Sequence, residues 1–166
     1  MIRDLVKTVV PESMQNTAFV RLFGLTKVPL IYWCNPSVVR MDDEVCEIKI
    51  PLTRKTKNHL NSMYFGVLCV GADIAGGFGA MNEITKAKRN ISLAFKDFKA
   101  NFLKRPEADV HFKCTQIPEL KKFVQEVIES KERMNFPVKI IAVCPKINPD
   151  EVVAEFELTL SLKLKS

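Results

Sequence analysis

The chain is predicted to be an α+β protein in which one curved antiparallel sheet wraps a long central helix. Three observations lead there. Segments with a period-two alternation of apolar and polar residues occur on both sides of residues 58–81. Within that stretch, MYFGVLCVGADIAGGFGAM (63–81) is apolar throughout except for one acid, and residues 58–81 hold five of the six glycines. The final segment alternates over thirteen residues, about 43 Å if straight, which is long enough that the strand has to curve. At 166 residues the chain suits one domain, read as a helical extension over 1–27 and a core over 28–165.

In chain order, residues 2–9 suit a short helix ended by Pro11. Ser13 then suits the cap of a second helix, with Met14, Ala18, Leu22 and Leu25 as its apolar face. Two strands are expected at 29–40 and 44–52. The first is bent by Asn35-Pro36, and the second alternates Cys46, Ile48, Ile50 and Leu52 with charged residues. After the long helix, Ile91, Leu93 and Phe95 share one parity while Phe98, Ala100 and Phe102 share the other. That slip predicts a β-bulge near Lys96. A strand at 108–116 precedes an amphipathic helix begun by Pro118, with Leu120, Phe123, Val124, Val127 and Ile128 on one face. PVKIIAVC and a last strand carrying Ala154, Phe156, Leu158, Leu160, Leu162 and Leu164 on one face complete the chain. A sheet with one polar and one apolar face needs a single covering layer, and the glycine-rich helix is the natural one.

Bulk composition narrows the function classes. The net charge of +6 comes from basic residues scattered over both halves, without a basic stripe interleaved with aromatics, so nucleic acid is not expected as a partner. Five cysteines, odd in number and far apart with no CxxC pair, suggest reduced thiols in the cytoplasm. Asp4 and Lys7 interrupt any signal-peptide core. His111 and Cys114 are three apart on a strand and face opposite sides, a poor metal pair, and no metal is expected. Cys69 reads as a core thiol and His59 as a turn residue. The apolar helix is long enough to cross a bilayer. Its central acid would cost about 2.5–3.5 kcal/mol there, and the sheet needs the helix as its second layer, so membrane insertion is not expected.

On a helical wheel Met63, Val67, Val70, Ile74, Phe78 and Met81 form one stripe, with Gly66, Asp73 and Gly77 clustered beside it. Each helical glycine costs roughly 0.5–1 kcal/mol relative to alanine, so something must require the missing side chains, and close packing by itself is one sufficient reason. Asp73 has Cys69, Val70, Gly76 and Gly77 at i±3 and i±4 and therefore no cation on its own helix. A carboxylate on so apolar a rod needs a cleft, solvent or a partner from another element, such as a strand arginine or a backbone N–H.

These residues resemble the hotdog fold. The segment Asn58–Asp73 is similar to the phenylacetate-pathway type of hotdog thioesterase and to an uncharacterised bacterial family related to it. NHLNSM entering the helix, NFLKRP (101–106) and DEVVAEFELTLSLK (150–163) agree with that group, and the likeness covers most of residues 28–165. The resemblance implies an acyl-CoA thioesterase acting as a homodimer or tetramer, with the pocket between subunits and no cofactor. Asp73 would be the general base or nucleophile, and Asn58 would orient water or substrate. The Phe65 backbone N–H would polarise the thioester carbonyl. Tyr64-Phe65-Gly66 stands where the family has His-Gly-Gly; Tyr64 offers a hydroxyl donor in place of the histidine, and Asn61 replaces a turn glycine. Arg54 and Lys57 before the helix, with Lys104 and Arg105 after a strand, are candidates for the coenzyme A phosphates, solvated loop charge being the alternative. A non-catalytic hotdog dimer that binds an acyl group or acyl-CoA is the alternative function.

Overall fold

The computed structural model describes residues 12–165, so the helix expected over 2–9 lies outside the described residues. The elements are α1 (Glu12–Lys27), α2 (Pro29–Trp33), β1 (Ser37–Met41), β2 (Cys46–Ile50), α3 (Phe65–Ala87), β3 (Ile91–Phe102), β4 (Val110–Cys114), α4 (Ile117–Ser130), β5 (Met134–Cys144) and β6 (Asn148–Leu164). The strands form one antiparallel sheet in the order β1-β2-β4-β5-β6-β3. This is the predicted architecture, a hotdog fold with α3 as the central helix.

Helix α3 runs for 23 residues, about 34 Å. It packs on β2, β4 and β5, with α4 alongside. Its inward face is built from small residues. Gly71, Ala72, Ala75, Gly76, Gly79 and Ala80 are buried together with Val67, Ile74 and Phe78. The stripe expected to face the sheet is not the sheet-facing one: Ile74, Phe78 and Met81 from it line a cleft on the side of α1, where Phe78 packs on Phe19. The glycines admit large side chains from the other layer. A methyl group on Gly71 would lie 2.3 Å from two ring atoms of Phe112, and one on Gly79 would lie 2.9 Å from Ile117 Cδ1.

Three expectations are corrected. Residues 29–33 form a helical turn, because Pro29 sits in its first turn and Ile31 points into the core, so the first strand begins only at Ser37. Ser13, expected just before the helix, lies within α1. The face of α1 that meets the core is Phe19, Val20 and Phe23, whereas Met14 and Leu25 are 57% and 54% exposed. The aromatic pair turns inward because the Phe19 ring seats against Phe78 of α3.

Other expectations hold. The β3–β6 register slips between Phe95 and Phe98, at the predicted bulge. In β6 the side chains of Ala154, Phe156, Leu158, Leu160 and Leu162 are all buried. Its 17 residues exceed the predicted thirteen, because a tight turn at 145–147 lets pairing with β5 start at Asn148. In α4 the predicted face of Leu120, Phe123, Val124 and Val127 is buried. The far end of α3 is tied down by Lys86, whose Nζ bridges buried Glu83 at 2.8 Å and Asp43 of the β1–β2 turn at 2.9 Å.

Gly71→Ala should destabilise the protein by about 1–3 kcal/mol, because fully buried Phe112 has no room to move aside. A urea titration would show this as a lowered midpoint at unchanged slope. A neutral or stabilising result would mean that the sheet yields at this point.

Candidate active site

The turn that launches α3 is closed by Asn58. Its Oδ1 accepts from Leu60 N–H at 2.9 Å and from Ser62 N–H at 3.3 Å, and its Nδ2 donates to Ser62 Oγ at 3.2 Å. Asn61 adopts φ 61°, so the asparagine supplies the left-handed geometry for which glycine is usual. The backbone then locks the helix start from two sides. Met63 N–H donates to Pro106 O at 2.8 Å and Tyr64 N–H donates to Thr56 O at 2.9 Å. Both predicted basic groups are thereby carried to the amino end of α3. Lys57 Nζ donates to Asn61 Oδ1 at 2.9 Å and Lys104 pairs with Glu151. Arg54 and Arg105 are exposed, without a carboxylate partner among the described residues.

Tyr64 occupies the position before the first helical residue with extended backbone. Among the described residues no acceptor meets the N–H of Phe65 or Gly66, as expected for the first turn of a helix. Tyr64 and Phe65 are 46% and 56% exposed, with ring centroids 4.8 Å apart, and the Phe65 ring leans on Phe102 at 6.1 Å. Gly66 has a packing reason: a methyl group there would strike the Tyr64 ring at 2.6 Å.

Asp73 lies two turns further along, in a cleft of about 420 Å³ between α1, α3 and β3. Phe19, Phe23, Ile31, Phe78, Leu93 and Phe95 form much of its wall, and among the described residues Asp73 is the one ionisable side chain in the lining. Burial pushes its carboxyl up to about 6. Among the described residues no hydrogen bond or ion pair reaches it, so the expected alternative of a strand arginine is not realised there. Gly77 keeps the adjoining space open, since a methyl group on it would sit 3.9 Å from Asp73 Oδ1 and 3.2 Å from Phe95 Cζ.

Within one chain the predicted site residues thus form two groups. Asn58, Tyr64, Phe65 and Gly66 gather at the helix start, and Asp73 stands about 12 Å along the axis and roughly 80° around it. The cleft wall contributed by α1 lies on its Phe19–Phe23 face, not on the aliphatic stripe that the periodicity favours. The Phe19–Phe23 pair, flanking Val20, was the available signal. His111, read as a poor metal ligand with Cys114, lies against Glu47, with Nδ1 and Oε1 at 2.6 Å.

Residues 16–161 match the family described as a domain of unknown function, DUF4442. The chain belongs to the DUF4442 family. No curated protein matches it in sequence. Solved structures share its fold. A candidate thioesterase from Shewanella oneidensis matches with a TM-score of 0.74 and 10% identity, over 91% of this chain and 99% of that one. A protein of unknown function from Chlorobaculum tepidum matches at 0.78 and 13%, over 93% and 100%. A thioesterase from Haemophilus influenzae matches at 0.61 and 13%, over 86% and 88%. At these identities the likeness establishes the fold. The central helix of this DUF4442 chain is long and apolar enough to cross a membrane, yet 61% of its most apolar window is buried inside the hotdog.

The Asp73 carboxyl carries a pH signature. A folded-state value of about 6, above the ordinary 3.8, favours folding below pH ~4, and that contribution disappears as pH rises through 6. Asp73→Asn should therefore match wild type near pH ~4 and exceed it by about 3 kcal/mol above pH ~7. Denaturant titrations across that range would test this. A stability difference independent of pH would show that the carboxyl titrates normally.

Proposed function

We propose that this DUF4442 protein hydrolyses an acyl thioester, acyl-CoA being the expected substrate, as a cytoplasmic homodimer. The observation that carries this reading is Asp73, a lone acid in an apolar cleft with its carboxyl raised to about 6. Such a group is ionised at neutral pH yet poorly solvated, which suits a general base. Asp73 would take a proton from the water that attacks the thioester carbonyl. The Phe65 N–H, with the Tyr64 hydroxyl as a further donor, would hold the oxyanion, and the acid form of Asp73 would return the proton to the departing thiolate. Arg54, Lys57, Lys104 and Arg105, around the helix start, would face the phosphates of the carrier.

Two features support an assembly of two copies. The Phe65 amide and Asp73 are too far apart on one helix to act on one carbonyl, whereas a two-fold partner could pair the amide of one copy with the acid of the other. Strand β3 is also an edge strand of 12 residues that leaves Phe98 and Phe102 38% and 47% exposed, a surface suited to pairing with a second β3. Five free cysteines suit a reducing compartment.

The involvement of Asn58 in its own turn favours a second reading, a dimer that binds an acyl thioester without cleaving it. One experiment separates the two. Free-thiol release from a panel of acyl-CoAs should be measured beside binding by calorimetry, for wild type and Asp73→Ala. Hydrolysis by wild type, reduced at least about 100-fold in the variant with its fold intact by circular dichroism, supports the thioesterase. Binding without release by wild type supports the second reading. An undiminished rate in the variant would remove Asp73 from the mechanism.

A further inference from the structure

A second hollow, of about 570 Å³, shares no lining residue with the Asp73 cleft. Its walls are Tyr32 and Trp33 from the end of α2 and Arg54 and Lys55 from the loop before α3, with Arg21 and Asn35 between them. The aromatics face outward because Ile31 and Cys34, on either side of them, point into the core. Tyr32 is 46% and Trp33 is 58% exposed. The guanidinium of Arg21 is held in place by bonds from Nε to Pro36 O at 2.8 Å and from Nη2 to Ser37 Oγ at 3.0 Å. Among the described residues no acid lines the hollow, and neither Arg54 nor Lys55 has a carboxylate partner. Lys55 instead rests its Nζ 4.4 Å from the centroid of the Trp33 ring.

Exposed aromatic faces beside uncompensated cations are the two halves of a nucleotide site. The rings offer stacking surface to a base and the cations offer charge to a phosphate. We propose that this groove binds a phosphorylated adenine nucleotide, the end of coenzyme A remote from its thiol, with the base stacked at Trp33 and Tyr32 and a phosphate at Arg54 and Lys55. Stacking a base on an indole is worth more than an exposed cation–π contact, so Lys55 exchanges its place over Trp33 for the phosphate as the base arrives. The groove adjoins the helix start covalently: Lys55 immediately precedes Thr56, whose carbonyl accepts the Tyr64 amide. That continuity places the nucleotide end of a carrier on the loop that also supports the Phe65 N–H. The identity of the carrier rests on the thioesterase reading, whereas nucleotide binding is measurable without it.

Trp33 is the only tryptophan in the chain, so its fluorescence reports on this groove alone. The full chain should be titrated with coenzyme A, adenosine 3′,5′-bisphosphate, adenosine and pantetheine. The first two should give a saturable change that weakens with added salt, adenosine a much weaker one, and pantetheine none. By calorimetry, the surface variants Arg54→Glu/Lys55→Glu and Trp33→Ala should each weaken bisphosphate binding at least about tenfold. Equal responses to coenzyme A and pantetheine, or unchanged affinity in these variants, would overturn the site. So would a Trp33 signal that tracks protein concentration alone, which would make a second copy of the chain the occupant. Bisphosphate binding by a protein that hydrolyses no thioester would sustain this site and defeat the proposed activity. Hydrolysis of pantetheine thioesters without nucleotide binding would do the reverse.

Discussion

A phenyl ring fills the space where a side chain on residue 71 would begin. That contact, Phe112 of β4 seated on Gly71 of α3, is the closest of a series in which the sheet and α4 approach the central helix through its missing side chains. Gly76 meets Ile140 and Val138, and Gly79 meets Ile117 and Leu120. Backbone-level approach on this face lets the sheet curve round the rod. The curvature in turn lets β6, at 17 residues, keep its apolar side chains buried over most of its length. The helical cost of glycine is offset by aromatic and aliphatic burial from the opposing layer.

The same close packing explains why the acid stands where it does. With one side of α3 pressed to the sheet, the opposite side is left to α1, α2 and the edge strand. These meet it through bulky side chains that leave a hollow. Asp73 opens into that hollow, where low polarity raises its proton affinity and no cation among the described residues lowers it. Gly77, one turn on, keeps the wall back from the carboxylate. A structural device, a helix with too few side chains, and a chemical one, a carboxylate out of water, thus share the same nineteen-residue stretch.

Local patterns were legible where one physical rule acted alone. The alternation in β2 and β6, the phase slip in β3 and the stripe of α4 each follow from a single buried face, and each reappears in the structure. Reading failed where two rules competed. Residues 29–33 have strand-like composition, but Pro29 and the turn at Asn35 make a helical turn there. In α1 an aliphatic stripe and an aromatic pair offered rival inward faces, and only the shape of the space above Phe78 chose between them, with Phe19 and Phe78 centroids 5.9 Å apart. The wall of the cleft follows from that choice of face, which the spacing of α1 does not express. The short helix at 29–33 likewise hid the outward turn of Tyr32 and Trp33.

By itself the sequence determined the class of fold, the central helix, the isolation of Asp73 from any cation on that helix, and the turn that starts it. All of these are local: they depend on residues within one or two turns of one another, and periodicity or spacing expresses them directly. Tertiary structure decided what closes over Asp73, where the carboxyl titrates, and how loops distant in the chain bring basic and aromatic side chains to the start of the helix. Those properties arise from side chains dozens of positions apart meeting across a packed layer, and their energies depend on the exclusion of water, which no short stretch of chain achieves alone.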